Sequence, residues 1–153
     1  MGAFEVITKS EEETRGLGRR IGELLSGDEV ILLFGELGTG KTTLVQGIAQ
    51  GMGIKEITPS PSFVLIREYS GRARLYHVDL YRVGEDIDSI GIEECFGRGV
   101  VVVEWAERGE GFLPKNALIV KLEHMENDMR RIRMEAREER YKEIIERLRW
   151  NYR

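Results

Sequence analysis

Residues 35–43 combine three glycines, a lysine and three threonines in the segment GELGTGKTT. Gly35, Gly40, Lys41 and Thr42 match the pattern G-x-x-x-x-G-K-[ST]. In loops of this pattern, backbone N–H groups surround phosphate oxygens, and the following helix directs its positive end to the same place. Lysine adds a cation for the outer phosphates, and a threonine hydroxyl is an oxygen ligand suited to Mg²⁺. The segment therefore predicts a site for a nucleotide with Mg²⁺.

The residues on either side predict the strand and the helix that such a loop needs. Residues 30–34 read VILLF, an apolar run typical of a buried strand. Residues 42–52 place apolar side chains at helical spacing, and Gly53 suits the end of that helix. A turn that contained lysine by chance would not require this order, so we interpret the loop as phosphate-binding. The residues expected to hold phosphate are Glu36, Leu37, Gly38, Thr39, Gly40, Lys41, Thr42 and Thr43.

A candidate metal-binding carboxylate follows a second apolar run. Glu104 comes directly after four valines at residues 100–103, which suit a strand buried on both faces. Phosphate-loop NTPases hold Mg²⁺ with an acid at such a strand end. A carboxylate there is costly to bury without a cation or hydrogen-bond partners. We favour the metal role for Glu104 over a glutamate that simply emerges into solvent.

Asp79 is a second candidate acid, in the segment HVDLYR. A strand period of two places His77, Asp79 and Tyr81 on one face. That face could carry a second acid for the metal, or it could be the solvent side of the strand. The spacing does not separate the two interpretations, and a place on the solvent side would also account for His77.

The remaining pattern predicts one α/β domain over residues 1–153, with the three layers and the mixed parallel and antiparallel sheet of a P-loop NTPase. A capping box at Ser10–Glu13 begins a helix that ends near Gly27. The C-terminal helix, at about residues 138–152, is expected to pack back on the domain. The other predicted elements are a strand at 4–7, hairpins at 62–69 with 74–81 and 117–122 with 131–136, and a short broken helix at 85–96.

Composition narrows the class of protein. The chain is 33% charged with a net charge of −4, which does not suit a stand-alone binder of DNA or RNA. It shows no membrane-spanning apolar stretch, and Cys95 is its only cysteine. We therefore expect a cytoplasmic protein that binds neither membrane nor DNA. Asp88–Gly91 matches the D-x-x-G pattern of GTP switches, but no apolar strand precedes it. The guanine-reading motif N-K-x-D does not occur in the sequence. We therefore expect adenine as the base of the nucleotide.

Four motifs in order resemble the TsaE (formerly YjeE) family, the small ATPase of bacterial tRNA threonylcarbamoyladenosine biosynthesis. They are FGELGTGKTT, the Ser60–Phe63 segment SPSF, HVDLYR and VVVVEWAER. The resemblance runs from the first strand to about residue 122. The family's S-P-T-F segment has serine at Ser62 here, which keeps the hydroxyl.

The resemblance implies roles for individual residues and for partners. It implies that Lys41 and Thr42 contact the phosphates and Mg²⁺, that Asp79 and Glu104 act around the metal and the attacking water, and that Trp105 lies near the nucleotide. Its implied partners are TsaB and TsaD, which modify adenosine 37 of tRNA, so that tRNA is reached indirectly through the complex.

We therefore expect a weak ATPase that converts ATP to ADP and phosphate, with Lys41, Glu104 and Asp79 as catalytic residues. Residues 58–63 suit a switch loop that reports the γ-phosphate. Two alternatives stay open: a small-molecule kinase, which needs an acceptor site and an arginine-bearing lid, and a nucleotide-dependent binding module without turnover.

Overall fold

A mixed β-sheet forms the centre of the protein. The structure is a computed structural model that describes residues 2–36, 39–55, 57, 66–81, 91–109, 111 and 113–151. Within these residues the sheet has seven strands in the order β1-β7-β6-β2-β5-β4-β3. The strands are β1 Ala3–Thr8, β2 Val30–Phe34, β3 Ile66–Ser70, β4 Arg74–Asp79, β5 Val100–Glu104, β6 Leu118–His124 and β7 Arg130–Glu135. The helices are α1 Glu11–Leu24, α2 Lys41–Gly51 and α3 Glu139–Asn151.

The predicted mixture of parallel and antiparallel pairing is confirmed. Strand β2 pairs in parallel with β5 and β6, and β4 pairs in parallel with β5. The hairpins β3–β4 and β6–β7 are antiparallel, as is the β1–β7 pair. Strands β2 and β5 are almost wholly buried, which their unbroken apolar runs favour. Strand β7 alternates between buried and wetter positions, as its period of two predicts.

The three α-helices of the described residues cover one face of the sheet, and the other face carries a smaller apolar cluster. The larger cluster joins α1, α2 and α3 to Ile31, Val102 and Val120. The smaller one contains Val101 and Val103, with side chains from the chain between β5 and β6. From the predicted broken helix at 85–96, residues Ile92–Glu94 form a 3₁₀ turn, and residues 85–90 lie outside the described residues.

Helices α1 and α2 approach so closely that glycine is required between them. A Cβ atom at Gly47 would lie 2.1 Å from the Arg15 carbonyl oxygen, and one at Gly22 would lie 2.2 Å from the Ile48 carbonyl oxygen. Such distances are far below van der Waals contact, so a side chain at either position would force the helices apart. The contact fixes α2, and with it the loop that precedes α2.

Helix α1 begins as predicted and ends earlier. The Ser10 hydroxyl accepts a hydrogen bond from the Glu13 N–H at 3.1 Å, and the Glu13 carboxylate accepts one from the Lys9 N–H at 3.0 Å. The predicted end near Gly27 is wrong by three residues, because the backbone is already extended at Leu25. Helix α3 packs back on the domain as expected, and its Tyr141 hydroxyl accepts a hydrogen bond from the Val30 N–H at 2.9 Å.

A buried carboxylate organises the turn that leads into β2. Glu29 accepts hydrogen bonds from the Ser26 N–H at 2.7 Å, the Ser26 hydroxyl at 2.8 Å and the Gly27 N–H at 2.9 Å. Burial raises the pKa of Glu29, but the hydrogen bonds from Ser26 and Gly27 outweigh it, so that the pKa lies below its ordinary value. The ionised carboxylate is therefore the form that holds the turn.

We expect Glu29→Gln to lower the free energy of unfolding by about 1.5–3 kcal/mol at neutral pH, the range for hydrogen bonds to a charged group. Because the pKa of Glu29 is lower in the folded state, this stabilisation is present above the unfolded-state pKa and is lost as pH falls through the folded-state pKa. Urea unfolding at neutral and acidic pH measures it, with exposed Glu93→Gln as the control. If the difference in unfolding free energy between the wild type and Glu29→Gln stayed constant down to acidic pH, the stabilising role of the ionised Glu29 carboxylate would be contradicted.

Within the described residues, no helix combines the length and the apolar character needed to cross a membrane.

Candidate nucleotide-binding site

Three parallel strands end at one edge of the sheet, where the chain also enters α2. Strand β2 ends at Phe34, β4 at Asp79 and β5 at Glu104. A cavity of about 750 Å³ opens at this edge. Ligands of open α/β sheets bind outside the carboxyl ends of the strands, so the cavity lies where the fold favours a ligand. Its lining includes the predicted residues Thr39, Gly40, Lys41, Thr42, Thr43, Asp79, Glu104 and Trp105.

The loop between β2 and α2 depends on two glycines. Gly40 has a left-handed backbone, with a φ of 95°, immediately before α2 begins. A Cβ atom at Gly35 would lie 2.7 Å from the Leu122 carbonyl oxygen, so only glycine fits. Thr39 is buried, and its hydroxyl donates to the Glu36 carbonyl oxygen at 2.8 Å. Leu37 and Gly38 lie outside the described residues.

Lys41 is the buried cation of the loop. Its ammonium group donates to the Gly35 carbonyl oxygen and lies 3.3 Å from the centre of the Trp105 ring. Burial lowers the pKa of Lys41, while the charges of Glu107, Glu104 and Asp79 act in the opposite direction. An anionic ligand in the cavity would add a further interaction that favours the charged lysine.

Glu104 connects the loop to the sheet. Its Oε1 accepts a hydrogen bond from the Thr42 hydroxyl at 3.2 Å, and its Oε2 lies 2.5 Å from Nε2 of His77. Glu104 is only 4% exposed, so its carboxylate does not emerge into solvent. The first residues of α2 and the end of β5 therefore meet through one buried acid.

Asp79 lies beside Glu104, since these two residues are register partners in the parallel β4–β5 pair. Asp79 is half-buried and lines the same cavity, and its Oδ1 accepts a hydrogen bond from the Tyr81 N–H at 2.9 Å. His77, two residues earlier, is buried. The face that carries Asp79 is therefore directed toward the cavity and is not simply a solvent side.

Trp105 has an unusual backbone for a bulky residue, with a φ of 60°. Its indole lies 4.8 Å from the Tyr81 ring, centre to centre, and the Arg108 guanidinium is 5.8 Å from the indole centre. Residues held in such conformations cluster at functional sites. The turn at Trp105 places the indole against Lys41, next to the loop that the sequence pattern singled out.

Sequence reasoning assigned no role to His77 or to Arg130. The period of two placed His77 on the face of Asp79, but its contact with Glu104 joins residues 27 positions apart. Arg130 begins β7, after a turn, and lines the cavity with Asp128. Neither contact leaves a signal in local spacing. The predicted switch segment at 58–63 lies outside the described residues.

The donor atoms at the cavity fit Mg²⁺. The Thr42 hydroxyl and the carboxylates of Glu104 and Asp79 are hard oxygen donors, the type this ion takes. In the part of the chain that the structure describes, no three acidic, histidine or cysteine side chains lie close enough together to form a metal site by themselves. Mg²⁺ beside nucleotide phosphates typically uses only one or two protein carboxylates.

The sheet, the glycine loop before α2 and the acid at the end of β5 define a protein with the P-loop NTPase fold. A crystal structure of Bacillus subtilis YdiB superposes with a TM-score of 0.84 at 33% identity, covering 99% of this chain and 97% of that one. Residues 8–132 match the sequence model of the family described as threonylcarbamoyl adenosine biosynthesis protein TsaE. The chain belongs to the TsaE family, as the four motifs predicted.

Relatives from several bacteria are similar over most of their length. The proteins named tRNA threonylcarbamoyladenosine biosynthesis protein TsaE are 40% identical in Treponema pallidum, 38% in Bacillus subtilis and 41% in Aquifex aeolicus. The matches cover 82%, 92% and 85% of this chain, and 96%, 90% and 94% of those proteins, respectively.

We expect the fluorescence of Trp105 to change when ADP or ATP is added with Mg²⁺, because phosphate would draw the Lys41 ammonium away from the indole face. Trp150 on α3 is 69% exposed and would obscure the signal, so the measurement uses Trp150→Phe. A spectrum that does not change at saturating nucleotide would contradict the placement of Trp105 beside the phosphate site.

Proposed function

We propose that this protein hydrolyses ATP to ADP and phosphate with Mg²⁺, and that this turnover supports the formation of threonylcarbamoyladenosine at position 37 of tRNA. The single observation that best supports the proposal is the hydrogen bond between Thr42 and Glu104, which joins the loop to the acid of the neighbouring strand. Membership of the TsaE family supports the link to tRNA modification.

The chain's own groups have separate roles in this proposal. Backbone N–H groups from Glu36 to Thr43 hold the phosphates, with the N-terminus of α2 behind them. Lys41 neutralises charge that develops on the outer phosphate oxygens. Its ammonium is already desolvated in the cavity, so its attraction for phosphate is screened less than that of an exposed lysine would be.

Thr42, Glu104 and Asp79 would hold Mg²⁺, which supplies charge neutralisation between the phosphates when it is bound. The two carboxylates also accept hydrogen bonds from water at the cavity edge and so orient the attacking water. The Thr42 hydroxyl already donates to Glu104 at 3.2 Å, which keeps the acid beside the loop.

A partner is proposed to complete the site. Arg130 lines the cavity beside Gly40, where a Cβ atom would lie 3.8 Å from the Arg130 Nε, and Arg108 is exposed. Ordering such a charge, or supplying another one from a partner, can raise NTPase turnover by about 10³-fold or more. Because the chain belongs to the TsaE family, we expect the partner to be the TsaB–TsaD complex, which would also provide the route to tRNA.

Phosphate release tests this function, measured for the protein alone, with TsaB–TsaD, and with tRNA only. We expect slow turnover alone, a rise of about 10³-fold with the protein pair, and little change with tRNA only. The pair mixed with the Lys41→Ala variant controls for ATPase activity carried by the partners.

Fast turnover that the pair does not change would contradict activation by TsaB–TsaD. A phosphorylated acceptor in place of free phosphate would indicate a kinase. Nucleotide binding without turnover, even in the full mixture, would indicate a binding module.

A further inference from the structure

His77 is a buried polar residue that has no role in the hydrolysis mechanism proposed above. It lies in the middle of β4 and is 8% exposed. Its neighbours on the same face are the apolar Leu75 on one side and Asp79, at the cavity edge, on the other. Burying an imidazole beside an apolar side chain is unfavourable unless its nitrogens find partners.

We propose that His77 is a positioning residue for Glu104, and that it holds this carboxylate in the orientation in which it meets Thr42. The inference rests on the ATPase function proposed above. It assigns to the HVDLYR segment a second role, separate from that of Asp79. His77 does not reach the nucleotide, since it does not line the cavity. It acts through Glu104.

The geometry divides the two oxygens of Glu104 between two partners. Oε2 lies 2.5 Å from His77 Nε2, and Oε1 lies 3.2 Å from the Thr42 hydroxyl. The side chains of His77 and Glu104 are 8% and 5% exposed. A carboxylate on a flexible stem that is bonded at only one oxygen could rotate about its terminal torsion. With both oxygens bonded, that rotation is opposed.

Strand register explains why position 77 is the one that reaches Glu104. Asp79 is the direct partner of Glu104 in the parallel β4–β5 pair, and His77 is the direct partner of Val102. His77 is therefore one same-face step deeper in the sheet, and its ring reaches Glu104 diagonally from the core side. Such diagonal neighbours lie within reach of long and aromatic side chains. Asp79 and Thr42 are left on the cavity side.

The hydrogen bonds also indicate which nitrogen carries the proton. An ionised carboxylate only accepts, so Nε2 of His77 is the donor. Nδ1 is buried and has no hydrogen-bond partner among the described residues. A proton on Nδ1 would be a buried donor left unsatisfied, which is costly. The arrangement therefore places a proton on Nε2, where it orients the Glu104 carboxylate.

A purely structural role makes a different prediction. Buried ionic or polar pairs often contribute little net stability compared with apolar residues of similar size. If His77 only fills space, His77→Leu would leave hydrolysis intact. If it positions Glu104, the same variant would fold yet lose the orientation of the acid.

The test compares three variants for turnover and for ADP binding, the latter by calorimetry with and without Mg²⁺. We expect His77→Leu to lower kcat about 10-fold or more, and to raise the KM measured with Mg²⁺ by no more than the factor by which the Mg²⁺-dependent gain in nucleotide affinity shrinks. ADP affinity without Mg²⁺ should stay the same, and the gain in affinity on adding Mg²⁺ should shrink.

Two amide variants separate positioning from polarity. The amide nitrogen of His77→Gln can occupy the place of Nε2, whereas that of His77→Asn corresponds to Nδ1 and is too short to reach Glu104. We expect glutamine to restore most of the turnover and of the Mg²⁺-dependent gain, and asparagine to restore neither. Thermal melts of all three variants show that they are folded. The amide pair decides the matter if the leucine variant does not fold.

The outcomes separate this inference from the function on which it rests. A wild-type protein that hydrolyses no ATP, even with TsaB–TsaD, contradicts the proposed function, while the Mg²⁺-dependent gain in ADP affinity still decides the role of His77. Wild-type kcat and an unchanged gain in His77→Leu would overturn the inference. Equal behaviour of the glutamine and asparagine variants would also overturn it, as would a wild-type protein with no Mg²⁺-dependent binding at all.

Discussion

Replacing Lys41 with alanine is expected to weaken nucleotide binding about 10- to 150-fold, the equivalent of ~1.5–3 kcal/mol for a hydrogen bond with a charged partner. Turnover should fall further, because the lysine also meets charge that develops in the transition state. The domain should remain folded, since burial lowers the pKa of Lys41 and so already disfavours its charge in the folded state. Calorimetry with ADP and phosphate release with ATP measure the two effects.

Two further variants sharpen this result. Lys41→Met keeps a long apolar side chain at this buried position and removes the cation that lies over the Trp105 ring, so it separates packing from charge. Lys121→Ala removes an exposed lysine of β6 that pairs with Glu135, and it should leave binding unchanged. A folded Lys41→Met protein with wild-type affinity and turnover would exclude the loop as the phosphate site.

Glu104→Gln is expected to reduce turnover about 10²-fold or more, the size of effect seen when one group that aids proton transfer or orients water is removed. The amide is nearly isosteric, so the contact with Thr42 can persist while the negative charge is lost. Nucleotide affinity without Mg²⁺ should change little, because the carboxylate is proposed to act through the metal and water. Affinity measured with and without Mg²⁺ checks this.

An exposed acid on another strand of the sheet provides the matched control. Glu123 on β6 faces away from the core and pairs with Arg131, so Glu123→Gln changes the net charge equally without touching the cavity. It should leave turnover unchanged. Equal loss of affinity in Glu104→Gln with and without Mg²⁺ would show that Glu104 serves the shape of the loop and not the metal.

The phosphate loop could be predicted because its determinants are local. Gly40 must adopt a left-handed backbone, and Lys41 and Thr42 must begin a helix after a buried strand. Each requirement acts within a few residues, so a short segment carries the whole signal. Strands β2 and β5 were predicted for the same reason, since strands covered on both faces need unbroken apolar runs.

The conformation of Trp105 could not be predicted in this way. Sequence spacing carries no indication that a bulky residue will take a φ of 60° after a strand. Surrounding contacts with Lys41 and Tyr81 must hold it there. The end of α1 was misplaced for a related reason, because the turn after it is held by Glu29, which lies beyond the helix pattern.

The sequence by itself determined the loop and the acid Glu104 that ends a buried strand, while its spacing left Asp79 open between a second acid for the metal and the solvent side of its strand. Only the tertiary structure decided that Asp79 lies beside Glu104 and that His77 holds the same carboxylate. The physical reason is that a period of two says which side of a strand a residue occupies, but not which strand lies next to it. That neighbour is set by the parallel register of β4 with β5, although residues 80–99 separate the two strands in the chain.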